Sequence, residues 1–227
     1  VHEKYLKDLD EHRGVKLVAL TTHGPGQIHS NKAIGKLSDL QGLKTRLGGG
    51  VSADVGAELG LVGIQVPAPK VYETLDSGAA DAVTMNMGER ISFKLNEVAP
   101  YMLKADLGSV ASKQVTVNKD VWEKLPQEVK DVLVETAAAY RDQLAKVSLE
   151  RAASSLEAYE AAGGTVTELS AEERDAWAQS MPNIAVEWAA QLDENGGQGS
   201  EMLKAYMAKL GEGGETPARD WAADLTN

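Results

Sequence analysis

The spacing of apolar and polar residues changes period several times along the chain. "VHEKYLKDLDEHRG" places Tyr5, Leu6 and Leu9 on one short helical face, with Gly14 where such a helix stops. "VKLVALTT" (Val15–Thr22) is apolar and rich in β-formers, which predicts a buried strand. "HGPGQIHSNKAIGKLSDLQG" reads as a long loop punctuated by Gly24, Pro25 and Gly26. A repeating unit follows. The strand "LKTRL" runs through glycines into the helix "SADVGAELG", for which Ser52 is the expected cap and Gly60 the stop. The strand "LVGIQV" precedes the helix "PKVYETLDSG", with Pro69 in its first turn and Gly78 at its end. A third strand, "DAVTM", leads to a helix over Glu89 to Glu97. Strands alternating with helices of about ten residues predict parallel β-α units and an α/β sheet.

"ADLGSVASKQVTVN" reads as one or two further strands. From Gln127 to about Ala162 there is no Pro or Gly, and Val129, Leu133, Tyr140, Leu144, Val147 and Leu156 keep helical spacing. One helix of about 35 residues would be near 50 Å long at 1.5 Å per residue. A domain of about 100 residues has a gyration radius near 13 Å, so this helix is expected to cross more than one lobe. Gly163 and Gly164 end it. Two more helices, near Ala171–Leu192 and Ser200–Leu210, precede the Gly-rich tail "GEGGETPARDWAADLTN".

Composition narrows the function classes. The 227 residues allow one large domain or two modest ones, and 43% hydrophobic residues are enough for a sizeable core. With 23 Lys and Arg against 34 Asp and Glu, the formal net charge is −11. Such a surface repels nucleic acid and anionic lipid, so an anionic ligand must be caught by local positive groups. Cysteine is absent, which excludes disulfides, thiol nucleophiles and zinc–thiolate sites. No apolar run approaches the roughly 18 residues of a membrane span, so no direct membrane insertion is expected. The charged opening stretch lacks the basic-then-apolar order of a signal peptide.

The candidate chemistry is sparse. "GVSAD" (Gly50–Asp54) nearly forms the G-x-S-x-G nucleophile elbow, but Asp54 stands where the last glycine belongs. His2, His12, His23 and His29 show no H-E-x-x-H spacing, and "DLDEHRG" lacks the later ligands of a calcium loop. No metal or cofactor is therefore expected. "GGGVSAD" matches neither common phosphate-binding glycine pattern. "LKTRLGGGVSAD" is more informative: a strand ending in Arg46, then flexible backbone, then a helix start, puts a guanidinium near orphan N–H donors. Arginine grips a carboxylate with two parallel bonds, and ligands of open α/β sheets bind outside the carboxyl ends of the strands. By spacing alone Arg46 admits two readings, a surface salt bridge or an anion ligand. "VTMNMGE" also ends a strand; its methionines read as core and turn by default, while Asn86 offers a donor and an acceptor.

Three longer motifs carry a family resemblance. D-L-x-G-L-K-x-R (Asp39–Arg46), V-Y-x-x-L-x-x-G-x-x-D (Val71–Asp81) and N-K-D-V-W-x-x-L-P (Asn118–Pro126) occur in one order together with "KLNEVAPYM". In that order they resemble the TRAP-transporter solute-binding proteins of the DctP type, over nearly the whole chain. The resemblance implies an α/β, two-lobe, periplasmic-binding-protein-like (type II) fold with a long lobe-spanning helix. It also implies a periplasmic receptor rather than an enzyme, which closes over a small-molecule carboxylate and delivers it to TRAP membrane permease subunits. Family members are longer, so most of the first lobe is expected to be missing from this sequence. On that basis residues 1–23 are a remnant of lobe I and 24–110 the ligand-binding α/β unit of lobe II. Residues 111–150 are crossover strands with the first half of the long helix, and 151–227 the C-terminal helices and tail.

The resemblance also assigns a site. The arginine of the first motif, here Arg46, pairs with the ligand carboxylate. Many relatives carry D-G-x-E-N after the glycine turn, the Asn touching ligand; Met85 aligns with that Asn, and Asn86 falls one place later. Thr84, Met85, Asn86 and Met87 are thus candidate ligand contacts. Dicarboxylate- and sialate-type members often have a second arginine before the kinked strand, whereas this chain has "GPGQIHS" there. Gln27 and His29 are candidate hydrogen-bonding contacts that carry no permanent charge. Together with the soft walls of Met85 and Met87, this favours a monocarboxylate with some apolar bulk. Two other classes remain open: a ligand-sensing effector domain of a regulator, and an enzyme on a related α/β fold.

Overall fold

The computed structural model describes residues 2–5, 14–22, 24–108 and 112–225. Leu6 and Leu9 of the expected first helical face lie outside them; the described part of that stretch is a single turn, α1 (His2–Tyr5). The chain divides into two units. The larger comprises Val18–Val117 and Val121–Ser170, the smaller Val1–Leu17, Asn118–Asp120 and Ala171–Asn227.

Strand β1 (Val15–Thr22) has the predicted bounds and pairs with β7 (Ser112–Asn118) in a two-stranded sheet. The larger unit is built on a second sheet of six strands. These are β2 (Gly26–Ser30), β3 (Lys44–Arg46), β4 (Val62–Ile64), β5 (Ala82–Asn86), β6 (Tyr101–Lys104) and β8 (Thr165–Glu168), in the order β4-β3-β5-β2-β6-β8. The β3–β4 and β3–β5 pairs are parallel, as the alternating pattern predicts, and β6 and β8, which that pattern does not include, are parallel as well. Strand β2 runs antiparallel to both its neighbours, so the sheet is mixed.

That central strand corrects the expectation of a loop over residues 23–42. Its sequence, GQIHS, carries one aliphatic residue, so no apolar run announces it. It is nonetheless buried, because each polar side chain finds a partner. Gln27 Nε2 donates to Asp106 Oδ1 at 2.7 Å, and Ser30 Oγ donates to the Asp81 carbonyl at 3.1 Å.

Glycines punctuate the βα units as expected. Helix α2 (Val51–Glu58) is followed by Gly60 at φ +74°, and α3 (Val71–Asp76) by Gly78 at φ +70°, both in the left-handed region that glycine reaches without strain. Pro69 lies in a 3-10 turn, Ala68–Lys70, that feeds α3. Ser52 does not cap α2: Gly50 holds that position and no side chain bonds the helix start. The expected helix over Glu89–Glu97 is shorter too. A 3-10 turn (Met87–Glu89) and a left-handed Lys94 at φ +53° leave only α4 (Leu95–Val98). Val71, Leu75, Ala80, Val83, Met85, Leu95 and Ala99 form the core that joins these helices to β5.

After α5 (Lys119–Lys124), α6 runs unbroken from Gln127 to Ala161, 35 residues, starting directly after Pro126. Every residue of it groups with the larger unit. A Cβ on Gly164 would fall 2.0 Å from the Tyr159 ring, so only glycine lets the chain turn back tightly there into β8. Met87, Met102 and Tyr159 form a second core that fastens the sheet to α6.

The smaller unit carries α7 (Ala171–Ser180), α8 (Ile184–Glu194) and α9 (Gly199–Glu212). The single helix expected over Ala171–Leu192 is divided at Met181–Asn183, because Pro182 cannot donate within a helix and Asn183 caps the next one, accepting from Val186 N. The Gly-rich tail is tied down by Arg219, which donates to the Met181 carbonyl at 2.6 Å and pairs with Asp224 at 3.0 Å. Among the described residues no helix is long and apolar enough to cross a membrane.

Candidate functional site

The carboxyl ends of β3 and β5 open into a cavity of about 170 Å³. Its walls are largely aliphatic, with Leu47, Val55, Leu59 and Leu61 from the β3–α2 unit and its return. The polar lining comes from Arg46, Ser52, Thr84, Asn86 and Glu89, and Arg46 is the single cation among them. Close packing shapes the wall: a Cβ on Gly56 would lie 2.5 Å from Leu47 Cδ1, so glycine lets α2 press onto this leucine.

Arg46 is the last residue of β3 and is partly buried. Its Nε donates to the Val66 carbonyl at 3.0 Å, which fixes the direction of the guanidinium. The two terminal nitrogens make no hydrogen bond or ion pair among the described residues. Burial disfavours its charge and lowers its pKa from the ordinary value, while the negative charge of Glu89 acts the other way. The edge that includes Nε is occupied by a carbonyl, but the end-on fork of Nη1 and Nη2 stays available for a bidentate acceptor.

Thr84 and Asn86 lie beside Arg46 on β5, and the Thr84 hydroxyl donates to the Arg46 carbonyl at 3.4 Å. Asn86 is the cap of the 87–89 turn: its Oδ1 accepts from Glu89 N at 3.1 Å, so its acceptor is committed. Met85 packs in the core under α3 and α4 and also reaches the cavity wall.

The remaining three candidates are placed elsewhere. Ile28 pairs with Thr84, Gln27 with Met85 and His29 with Val83, so alternation sends Gln27 and His29 to the face opposite Thr84 and Asn86. Gln27 lines a second cavity of about 300 Å³ between the sheet and α6, held there by Asp106. Met87 lines that cavity as well and packs against Tyr159 and Leu156 of α6. Lys104, Lys113 and Arg151 contribute its cations. The two cavities share Gly24, Asn86 and Glu89 as a common wall.

His29 is wholly enclosed and does not line either cavity. Its Nδ1 accepts from Arg90 Nη1 at 2.6 Å, and its Nε2 therefore carries the proton that is shared with the Met85 carbonyl at 3.1 Å. Burial, reinforced by the Arg90 charge, lowers its pKa to about 3, so the ring is neutral. Arg90 is itself fully buried. Besides His29 it donates to the Ala99 carbonyl at 2.5 Å and lies 3.6 Å above the Tyr159 ring centroid. Arg90 and Glu89 carry no motif of their own in the sequence, and both fall in the stretch whose pattern predicts an ordinary helix.

A family model for bacterial extracellular solute-binding proteins, family 7 (DctP), matches residues 1–191. The chain belongs to the DctP family. It is 28% identical over 205 residues to the C4-dicarboxylate-binding periplasmic protein DctP of Rhodobacter capsulatus, covering 89% of this chain and 59% of that one. The chain thus spans about three-fifths of that relative's length. Among solved structures, a TRAP periplasmic solute-binding protein from Bordetella bronchiseptica with bound (R)- and (S)-mandelate is 29% identical, with a TM-score of 0.82. That match covers 93% of this chain and 68% of the other. A TRAP periplasmic solute-binding protein from Desulfovibrio salexigens with bound orotic acid is 26% identical, covers 91% and 66%, and gives a TM-score of 0.79. The mixed sheet and the 35-residue helix are thus the fold of TRAP periplasmic binding proteins.

Proposed function

We propose that this chain is ligand-binding material of a periplasmic TRAP-transport receptor, that it holds a small monocarboxylic acid through Arg46, and that it delivers this acid to a membrane permease. One observation carries the reading. A partly buried arginine, pinned at Nε, presents two unbonded terminal nitrogens to a mainly aliphatic cavity. A carboxylate satisfies both nitrogens at once, and the aliphatic walls around them strengthen such a pair by excluding water from it. The reaction chemistry of an enzyme would need a nucleophile with its base or a metal cluster. Among the described residues the lining shows no hydrogen-bonded nucleophile–base pair and no side-chain group that could hold a metal, and the relatives are named for solute binding.

Size and charge support a monocarboxylate with apolar bulk. An aliphatic cavity of about 150 Å³ accepts a benzene-sized ring, and this one is close to that volume. The R. capsulatus relative is named for C4-dicarboxylates, but here the one Lys or Arg among the described lining residues already feels the charge of Glu89. The mandelate and orotate of the two neighbours are ring-bearing acids with a single carboxylate, which fits the same reading.

Isothermal titration with mandelate, benzoate, lactate, succinate and fumarate tests it. The expected result is binding of one or more monocarboxylates and loss of that binding in Arg46→Ala. Binding restricted to succinate and fumarate, or undiminished binding by Arg46→Ala, would overturn it.

A further inference from the structure

Glu89 contributes a carboxylate to a cavity in which Arg46 is the only Lys or Arg among the described residues. The two are close enough for the Glu89 charge to favour the guanidinium, yet they make no ion pair among the described residues. Arg46 therefore keeps its terminal nitrogens for another acceptor, and Glu89 keeps two oxygens that can only accept. Its backbone cannot drift. Glu89 N is held by Asn86 Oδ1, and the next residue, Arg90, is anchored by His29, the Ala99 carbonyl and the Tyr159 ring. A Cβ on Gly88 would meet Arg151 Cβ at 3.6 Å and Ala152 N at 3.8 Å, so α6 closes the turn from behind.

We infer that Glu89 determines specificity in this cavity: beside the carboxylate held by Arg46, it accepts a hydrogen bond from a hydroxyl or ammonium group on the adjacent carbon and repels a second carboxylate there. This rests on the reading of Arg46 as the carboxylate clamp. The charge balance explains the selection. One guanidinium facing Glu89 and one ligand carboxylate already leaves the cavity net negative, and a further anion would meet no cation in it. A hydroxyl or ammonium instead supplies the donor that Glu89 lacks. A site that accepts from a substrate donor discriminates strongly against the analogue without it, because the carboxylate is then desolvated and unpaired. The ligand class is thus a 2-hydroxy or 2-amino monocarboxylate with an apolar substituent.

Two matched triplets test this by titration calorimetry: phenylacetate, mandelate and phenylmalonate, then propionate, lactate and methylmalonate. Within a triplet only the group on the second carbon changes, from hydrogen to hydroxyl to carboxylate. The wild-type protein is expected to bind the hydroxy acid about tenfold or more tighter than the unsubstituted acid, and the dicarboxylate most weakly. In Glu89→Ala the hydroxy and unsubstituted acids should come within about twofold of each other, and the dicarboxylate should gain about tenfold. Glu89→Gln keeps the volume and the turn, so the gain for the dicarboxylate should appear there without loss of fold. An unchanged order of affinities in both variants overturns the role of Glu89 while leaving Arg46 as clamp. Wild-type binding that survives Arg46→Ala, or no binding of any of the six acids, overturns both.

Discussion

Two arginines in the larger unit meet opposite fates. Arg46 ends a strand at the mouth of a cavity, is only partly buried, and uses one nitrogen on the protein. Arg90, one turn beyond β5, is fully buried, donates to an imidazole and a carbonyl, and is covered by an aromatic ring. Neither pairs with a carboxylate among the described residues. A buried charge is tolerable where fixed dipoles and a π-face replace water, which Arg90 has at Nη1, Nη2 and its ring-covered face, while its Nε stays buried without a hydrogen bond. At Arg46 the terminal nitrogens have no protein partner among the described residues and reach an open cavity, which leaves them available for the carboxylate proposed above. Burial lowers the pKa of both, to about 10 for Arg90, yet both stay charged near neutral pH.

The contrast can be broken from either side. Arg90→Ala should cost about 3–5 kcal/mol of stability in urea titration, since it opens a void and strands His29 Nδ1 and the Ala99 carbonyl. A loss below about 1 kcal/mol would show that the Arg90 cluster is not a structural tie. Arg46→Ala should behave inversely, losing about 2–5 kcal/mol of carboxylate affinity while stability changes by less than about 1 kcal/mol.

The His29 side of the cluster gives a pH signature. Its folded pKa of about 3 lies below the ordinary 6.5. The unfolded chain takes up a proton that the folded chain refuses, so this contribution is fully present above pH 6.5 and is lost as pH falls toward 3. The slope is at most about 1.4 kcal/mol per pH unit for one proton. Urea titrations between pH 6.5 and 5.5, above most carboxylate titration, should show it in the wild type and not in His29→Gln. Equal slopes would show that His29 is not held neutral by its burial. The smallest effect belongs to Gly56→Ala. The new Cβ would push Leu47 Cδ1 into the cavity, costing about 1 kcal/mol of stability and weakening ring-bearing acids more than lactate.

The βα units were legible because glycine marks their ends: Gly60, Gly78 and Gly163 take positive φ where each helix ends. The 35-residue helix was legible from an uninterrupted run without Pro or Gly. Strand β2 was hidden because the fold satisfies Gln27, His29 and Ser30 one by one, and polar residues in sequence look like a loop. Strands β6 and β8 are four residues each, too short to establish a period of two. At the site, Arg46 stood out through its motif and its place at a strand end. Glu89 did not, since its role depends on a 3-10 turn that a helical reading of residues 89–97 erased. Gln27 and His29 were candidates because GPGQIHS stands where related proteins carry a second arginine, while the antiparallel register sends them to the face opposite Thr84 and Asn86.

In the proposed function the terminal nitrogens of Arg46 hold the ligand carboxylate. A crystal structure of the protein with its tightest-binding acid tests it most directly. Both carboxylate oxygens are expected about 2.7–2.9 Å from Arg46 Nη1 and Nη2, with Nε still on the Val66 carbonyl. An acid bound only in the cavity beside Arg151, with Arg46 still uncontacted, would contradict it.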